Sequence, residues 1–416
     1  MRAFHLVFTA LLPAFVLAQG SGGRNRAEHA DKPYVVLVSF DGFGNEYLDR
    51  FKLPNFQRVI RDGVRADSLT PVYPSVTFPA HYSIVTGLYP EHHGIVSMSF
   101  YDPARKETYD YMSETAVQDG TWYRGEPLWV TAEKQGMVAA SCYWVGSEAA
   151  IGGVRPTYWK KYAEGLKNDA RVNTVIEWLR LPAEQRPHFI TLYFSDVDGA
   201  GHRFGPDSPE VEKAAAAMDA ELGRLLDGIE STPVRDKVYV VLVSDHGMAR
   251  VPREQNIPID DMVDLTGVEG TGVGTMMNLY LDGGGGPKSR EMRDKINAKL
   301  THGRAYLRKE VPARLHFRAD PRIGDVVIIM DEPWRILPPA ARTKRDMRVM
   351  VGWHGWNPSS RDMQATFLAM GPGIRKGSRV PAFDIVEIEP LLAEWLGLRA
   401  PAGIDGHRGR IRKQLR

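Results

Sequence analysis

The sequence holds a single cysteine, Cys142, in 416 residues. A disulfide within one chain is excluded, so stability rests on core burial, or on core burial together with bound metal. Excess charge is also missing: 53 Lys and Arg stand against 51 Asp and Glu, a net +2. A dedicated nucleic-acid binder carries a marked basic surplus, so that class is set aside, while a local basic pocket for an anion is not. Beyond the N-terminus no apolar stretch approaches the ~20 residues that span a bilayer, which predicts a soluble mature protein without a membrane span. Two common catalytic devices are absent as well, the G-x-S-x-G elbow and the P-loop lysine motif.

What is present begins with length. A chain of 416 residues suits one large α/β domain with a smaller insertion. Its 43% hydrophobic and 25% charged residues are ordinary for a globular protein. Arg2, the mainly apolar run Leu6 to Ala18 and the small residues that follow read as a signal peptide over 1–20. The protein is then exported, to a periplasm or the outside; an uncleaved anchor is the alternative. Residues 21–32 are polar and Gly-containing, a flexible linker.

One pattern occurs three times. Tyr34 to Phe40, Phe189 to Phe194 and Val238 to Ser244 are unbroken β-branched and aromatic runs, the signature of strands buried on both faces. They stop at Asp41-Gly42, at the Asp196–Gly199 segment and at Asp245-His246-Gly247. Taken singly, Asp-Gly is turn chemistry. Three copies point instead to acids delivered at the carboxyl ends of parallel strands, where open sheets bind ligands. Helical stretches between them (54–62, 81–85, 128–135, 168–179 and 209–229) make the fold class α/β, a doubly wound and mostly parallel sheet with helices on both faces.

Around those acids lie histidines at ligand spacing. Asp198 and His202 form D-x-x-x-H, Asp245 and His246 are adjacent, and His354 sits in GWHGW. Imidazole with carboxylate suits zinc or a similar divalent ion. Asp41, Thr77, Asp245 and His246 supply one ion; Asp198, His202 and His354 supply a second. Each histidine alone also reads as a hydrogen-bonded or surface residue. His81, His92 and His93 are assigned structural roles, His81 packing in or capping the helix that follows Thr77.

Thr77 precedes Phe78-Pro79 and an apolar helical pattern, so it stands at a helix start with Pro in the first turn. A capping threonine is the plain reading. The alternative is a nucleophile: helix-start N–H groups face phosphate oxygens, and a hydroxyl beside a metal can be deprotonated and attack phosphorus.

At these residues the sequence closely resembles the ectonucleotide pyrophosphatase/phosphodiesterase family of the alkaline phosphatase superfamily. The likeness runs from 33 to 406 and is densest in YPSVTFPAHYSIVTGLYPEHHGIV, EPLWVTAEKQG, YFSDVDGAGHRFGP, VSDHGM and GWHGW. It implies an alkaline phosphatase-like fold, two zinc ions on the seven residues named above, and a covalent phosphothreonine intermediate at Thr77. It further implies a small-molecule phosphodiester or nucleotide substrate, its base held between Phe78 and an aromatic of RPTYW, Tyr158 or Trp159. The chain departs from the family at Met98 and Ala80, where Asn is common; a hydroxyl of Ser97 or Ser99 is the candidate replacement for the lost amide. Loss of one oxyanion donor typically costs ~10²–10³ in rate.

Rival readings share the metal site: a phospholipase C-like choline or glycerophosphodiesterase, a phosphomonoesterase, or a metal-binding homologue without catalysis. No Arg or Lys flanks Thr77 to neutralise the extra charge of a monoester. The expected organisation is a catalytic core over 33–250, an insertion capping the sheet over 251–348 with a charged helix at 289–300 and a strand at 326–330, a core return over 349–406, and a basic tail at 407–416.

Overall fold

The computed structural model describes residues 22–252, 254–281, 284, 286–338 and 350–407. The expected signal peptide and nearly all of the basic tail lie outside the described residues.

Tyr34–Phe40 lies at the centre, paired in parallel with Phe189–Phe194 on one side and Val238–Val243 on the other. Nearly every residue of the three strands is buried, because both sheet faces are covered. That is why they read as unbroken apolar runs. Among the described residues the sheet has eight strands, in the order Ser378–Val380, Val64–Ala66, Phe367–Met370, Val238–Val243, Tyr34–Phe40, Phe189–Phe194, Ala139–Cys142, Tyr158–Trp159. Phe367–Met370 runs antiparallel to both neighbours; the other pairings are parallel.

Alternation along the central strand separates two cores. Val35 and Leu37 pack with helices Thr77–Thr86, Leu128–Lys134 and Ile388–Leu396. Val36, Val38 and Phe40 pack with Pro54–Asp62, Asn168–Arg180 and Pro209–Glu230. The longest of these helices starts where Ser208 Oγ accepts from the Val211 N–H and Pro209 occupies the first turn, two start signals that need no intrahelical donor. Cys142 is buried in its strand, and that burial pushes its thiol up to about 11.

A second, antiparallel sheet runs Glu269–Gly272, Met276–Tyr280, Val326–Met330, Gly303–Leu307. With helix Pro287–Asn297 it surrounds a cluster of its own that includes Met277, Leu279, Ile296, Val326 and Ile328. The charged helix begins at Pro287, earlier than its charge pattern suggests, because Pro is at home in a first turn. Within the stretch read as linker, Asn25 Nδ2 donates to the carbonyls of Ala183 (2.9 Å) and Arg186 (2.8 Å). No helix among the described residues is long and apolar enough to cross a membrane.

Candidate active site

The three central strands are parallel neighbours, so their carboxyl ends open on one side. Asp41 follows Phe40 directly. Asp245 and His246 follow Val238–Val243 after one residue. Asp198 and His202 lie on helix Asp196–Phe204, which begins just after Phe194, so their four-residue spacing puts both on one helical face. His354 follows the two-residue strand Gly352–Trp353, and Thr77 opens helix Thr77–Thr86. Two glycines permit this convergence. Gly42 has φ +65°, and a Cβ there would lie 2.9 Å from Asp198 Cα and Cβ. A Cβ on Gly352 would collide with the Gly201 carbonyl.

All seven residues come together. His246 Nε2 is 3.0 Å from Asp245 Oδ2, 3.5 Å from Asp41 Oδ1 and 3.5 Å from Thr77 Oγ1. His354 Nε2 is 3.1 Å from His202 Nε2 and 3.6 Å from Asp198 Oδ1, and His202 Nε2 is 3.4 Å from that same oxygen. The rings of His246 and His354 stack at 3.5 Å.

The orientation of the imidazoles is set from behind. Nδ1 of His246 meets the Gly247 carbonyl at 2.8 Å, Nδ1 of His202 meets that of Gly352 at 2.9 Å, and Nδ1 of His354 meets that of Ser75 at 2.9 Å. A carbonyl only accepts, so each Nδ1 carries a proton and Nε2 is the ring atom that faces the centre. Asp41 Oδ2 accepts from the Tyr193 hydroxyl at 2.5 Å, and Asp245 Oδ1 from the Gly42 N–H at 3.1 Å. The remaining oxygens, Asp41 Oδ1, Asp245 Oδ2 and Asp198 Oδ1, are buried and accept no hydrogen bond.

Electrostatically the cluster is in conflict with itself. Burial, then the charges of Asp245 and Asp198, push the Asp41 carboxyl well above the carboxylate range. Burial pushes Asp245 the same way, but the imidazoles of His246 and His81 outweigh it and hold that carboxyl well below. Burial, then His246 and His202, keep His354 neutral. Every ion pair these three acids make among the described residues is with a histidine. Ligand atoms of Asp41, Asp245 and His246 lie within 4.8 Å of one another, as do those of Asp198, His246 and His354. Orphaned carboxylate oxygens facing imidazole Nε2 atoms are the donor set of a divalent cation, and a cation relieves the conflict. The residues fit a metal.

Three residues near the cluster were not singled out as site residues by sequence. His81 is fully buried; its Nε2 meets Ser39 Oγ at 2.7 Å, and its Nδ1 lies 2.9 Å from the Thr77 carbonyl and 3.3 Å from Asp245 Oδ2. It packs as expected and also braces two of the seven residues. Tyr193 holds Asp41, as described. Tyr162 is 42% exposed, its ring 5.0 Å from Tyr143 and 6.4 Å from Tyr193; partial burial foremost pushes its hydroxyl up, and the Asp41 charge adds a minor push the same way. The only sequence signal for these three was proximity to the Thr77 helix, the FITLYF strand and the RPTYW segment.

The expected substrate residues divide. Phe78 is part-exposed, with its ring edge-on to Tyr111 at 5.7 Å. The contacts of Tyr158 and Trp159 run elsewhere: Tyr158 stacks on Trp178 at 6.2 Å, and Trp159 lies under the Arg155 guanidinium at 5.3 Å. Ser99 Oγ donates to Asp110 Oδ1 at 3.2 Å, while Ser97 is fully buried. His93 Nε2 pairs with Ser83 Oγ at 2.9 Å and His92 with Asp405 at 2.7 Å, both structural contacts.

Comparison with known proteins extends this geometry. Residues 35–357 match the family model described as type I phosphodiesterase/nucleotide pyrophosphatase. The chain is 34% identical to a venom phosphodiesterase of Naja atra over 94% of its own length and 47% of the relative's. It is 33% identical to human ectonucleotide pyrophosphatase/phosphodiesterase family member 1 over 93% of its length and 42% of the relative's. The chain thus spans about half the length of the curated relatives it matches. Among solved structures, an inactive variant of murine ectonucleotide pyrophosphatase/phosphodiesterase 5 in complex with AMP superposes with a TM-score of 0.86 at 28% identity, over 92% of this chain and all of that one. The central sheet with helices on both faces is the alkaline phosphatase-like arrangement expected from the resemblance. By sequence and by fold, the chain belongs to the type I phosphodiesterase/nucleotide pyrophosphatase family.

Proposed function

We propose that the protein hydrolyses phosphodiester and pyrophosphate bonds of nucleotides as a metal-dependent enzyme with Thr77 as its nucleophile. One observation carries this reading: three unpartnered carboxylate oxygens and three outward-facing Nε2 atoms converge beside the Thr77 hydroxyl at a helix start. Asp41, Thr77, Asp245 and His246 would hold one ion, and Asp198, His202 and His354 a second, with zinc favoured by the mixed imidazole and carboxylate donors. Such ions supply Lewis acidity, lowering the pKa of a hydroxyl or water and neutralising phosphoryl charge.

Within that frame the residues do the following. Thr77 Oγ1 gives up its proton to solvent and attacks phosphorus, the bond to the leaving alcohol or nucleotide breaks, and the phosphoryl group remains esterified on Thr77. Water then attacks the same phosphorus, the P–Oγ bond breaks and Thr77 regains its proton. His81 fixes the Thr77 carbonyl and Asp245 relative to each other, and Tyr193 fixes Asp41. Phe78 and Tyr162, rather than Tyr158 or Trp159, are the rings proposed to stack a base, an interaction of ~1–3 kcal/mol per base. The AMP bound by the murine relative supports nucleotides over lipid headgroups.

The segment 251–348 is proposed as an insertion, supported by its separate sheet and apolar cluster. Export is proposed from the signal-like N-terminus and from relatives named as venom and ecto-enzymes.

The test is steady-state turnover by zinc-loaded protein, wild type beside Thr77→Ala. The substrates are p-nitrophenyl thymidine monophosphate, bis-p-nitrophenyl phosphate, p-nitrophenyl phosphate and p-nitrophenylphosphorylcholine. The nucleotide ester should be cleaved fastest and the mutant should be inactive. Preference for the choline ester would move the assignment to lipid headgroups, preference for the monoester would defeat it, and activity surviving in Thr77→Ala would remove the nucleophile.

A further inference from the structure

In the first turn of helix Thr77–Thr86, Pro79 has no N–H and the Ala80 N–H is taken by the Val76 carbonyl at 3.1 Å. The Phe78 N–H, next along the chain from the Thr77 hydroxyl, is a donor the helix does not use. It is directed instead at Met98 Sδ, 3.4 Å away. Met98 is held there from two sides. Its carbonyl accepts the Tyr111 N–H at 3.1 Å, anchoring the hairpin Ser99–Asp102/Glu107–Asp110, and the Tyr111 ring in turn packs on Phe78. A thioether is a weak acceptor on a flexible side chain, so the contact is easily broken and easily remade. The neighbouring serines make no contact with that N–H: Ser99 is turned to Asp110, and the buried Ser97 hydroxyl has no hydrogen-bond partner.

We propose that Met98 is a specificity-determining residue: its thioether covers the Phe78 N–H, and a non-bridging phosphoryl oxygen gains that donor only by displacing the sulfur. The inference rests on the phosphoryl-transfer reading above. A helix-start N–H is a natural ligand for developing phosphoryl charge. With the donor covered, an oxygen in this position receives less support than an open N–H would give. A non-bridging sulfur, itself a poor acceptor, loses little there. The chain should therefore turn over oxygen diesters slowly and discriminate weakly against phosphorothioate diesters of the same geometry.

The experiment uses zinc-loaded wild type, Met98→Ala, Met98→Asn and Thr77→Ala with p-nitrophenyl thymidine monophosphate and its two phosphorothioate diastereomers. Met98→Ala should raise kcat on the oxygen ester about tenfold with KM little changed. Met98→Asn, which adds an amide donor, should raise it by about 10–100-fold, below the ~10²–10³ of a fully preorganised oxyanion donor. For one diastereomer only, the ratio of oxygen to sulfur turnover should rise about tenfold in both variants. A packing role alone would lower activity and leave that ratio unchanged. Unchanged or lowered kcat with an unchanged ratio in both variants would overturn the inference while Thr77-dependent turnover by the wild type kept the assigned function. Absence of Thr77-dependent turnover in wild type and in both Met98 variants would overturn the two together.

Discussion

The two halves of the cluster are built differently. Asp41, Asp245 and His246 have side chains 0–2% exposed and stand at the ends of two neighbouring central strands. Asp198, His202 and His354 have side chains 19%, 17% and 9% exposed, the first two on a nine-residue helix and the third just after a two-residue strand. The first half is rigid and water-poor, so its charges interact strongly and its geometry is fixed before any ion arrives. The second half is wetter and lies outside the central strands, its imidazoles held by the carbonyls of Gly352 and Ser75. Pre-organisation belongs to the strand ends; adjustment belongs to the helix and the loop.

Substitutions can break that comparison. Asp245→Ala should abolish tight metal retention and lower turnover by more than about 100-fold, beyond the range for a merely supporting partner; metal content and kcat measured together check this. His202→Ala, on the wetter side, should lose about 10–100-fold and recover with added zinc, and failure of added zinc to restore it would erase the distinction. Tyr193→Phe removes the hydroxyl behind Asp41 and should cost about tenfold in activity or metal affinity, within the ~10–100-fold of an orienting partner. The smallest effect is on stability. In chelator-stripped protein, Asp41→Asn removes one of the crowded buried carboxylates and should raise Tm by about 2–6 °C, while Asp198→Asn should leave it within about 1 °C of the stripped wild type. Equal shifts for the two variants would show that burial does not separate the halves.

Much of the architecture was legible in the sequence because buried parallel strands leave a strong trace. Tyr34–Phe40 and Phe189–Phe194 begin and end where their apolar runs do, and the acids that follow them reach the cluster. What escaped notice depends on partners far apart in sequence. His81 looked like a helix residue, since its link to Asp245 requires a loop more than 160 residues away. Tyr162 was passed over for Tyr158 and Trp159 because only the folded chain sets it beside Tyr193 and turns Tyr158 onto Trp178. The sulfur over the Phe78 N–H was equally hidden: the resemblance to the family marked Met98 as unusual, but its target became visible only once the 99–110 hairpin folded back on the helix start.

The antiparallel strand Phe367–Met370 has a consequence for the order in which the molecule can be completed. It lies between Val238–Val243 and Val64–Ala66, and it is what joins Val64–Ala66 to the rest of the sheet. During synthesis the strand that leads to Asp245 and His246 therefore waits with one edge unpaired while more than a hundred further residues are added, about 6–25 s at ~5–20 residues per second. An open edge of valines and leucines is a template for pairing with other chains. The part of the sheet that positions the reactive groups is thus made well before it is sealed, and the nascent chain is most vulnerable to misassembly along that edge.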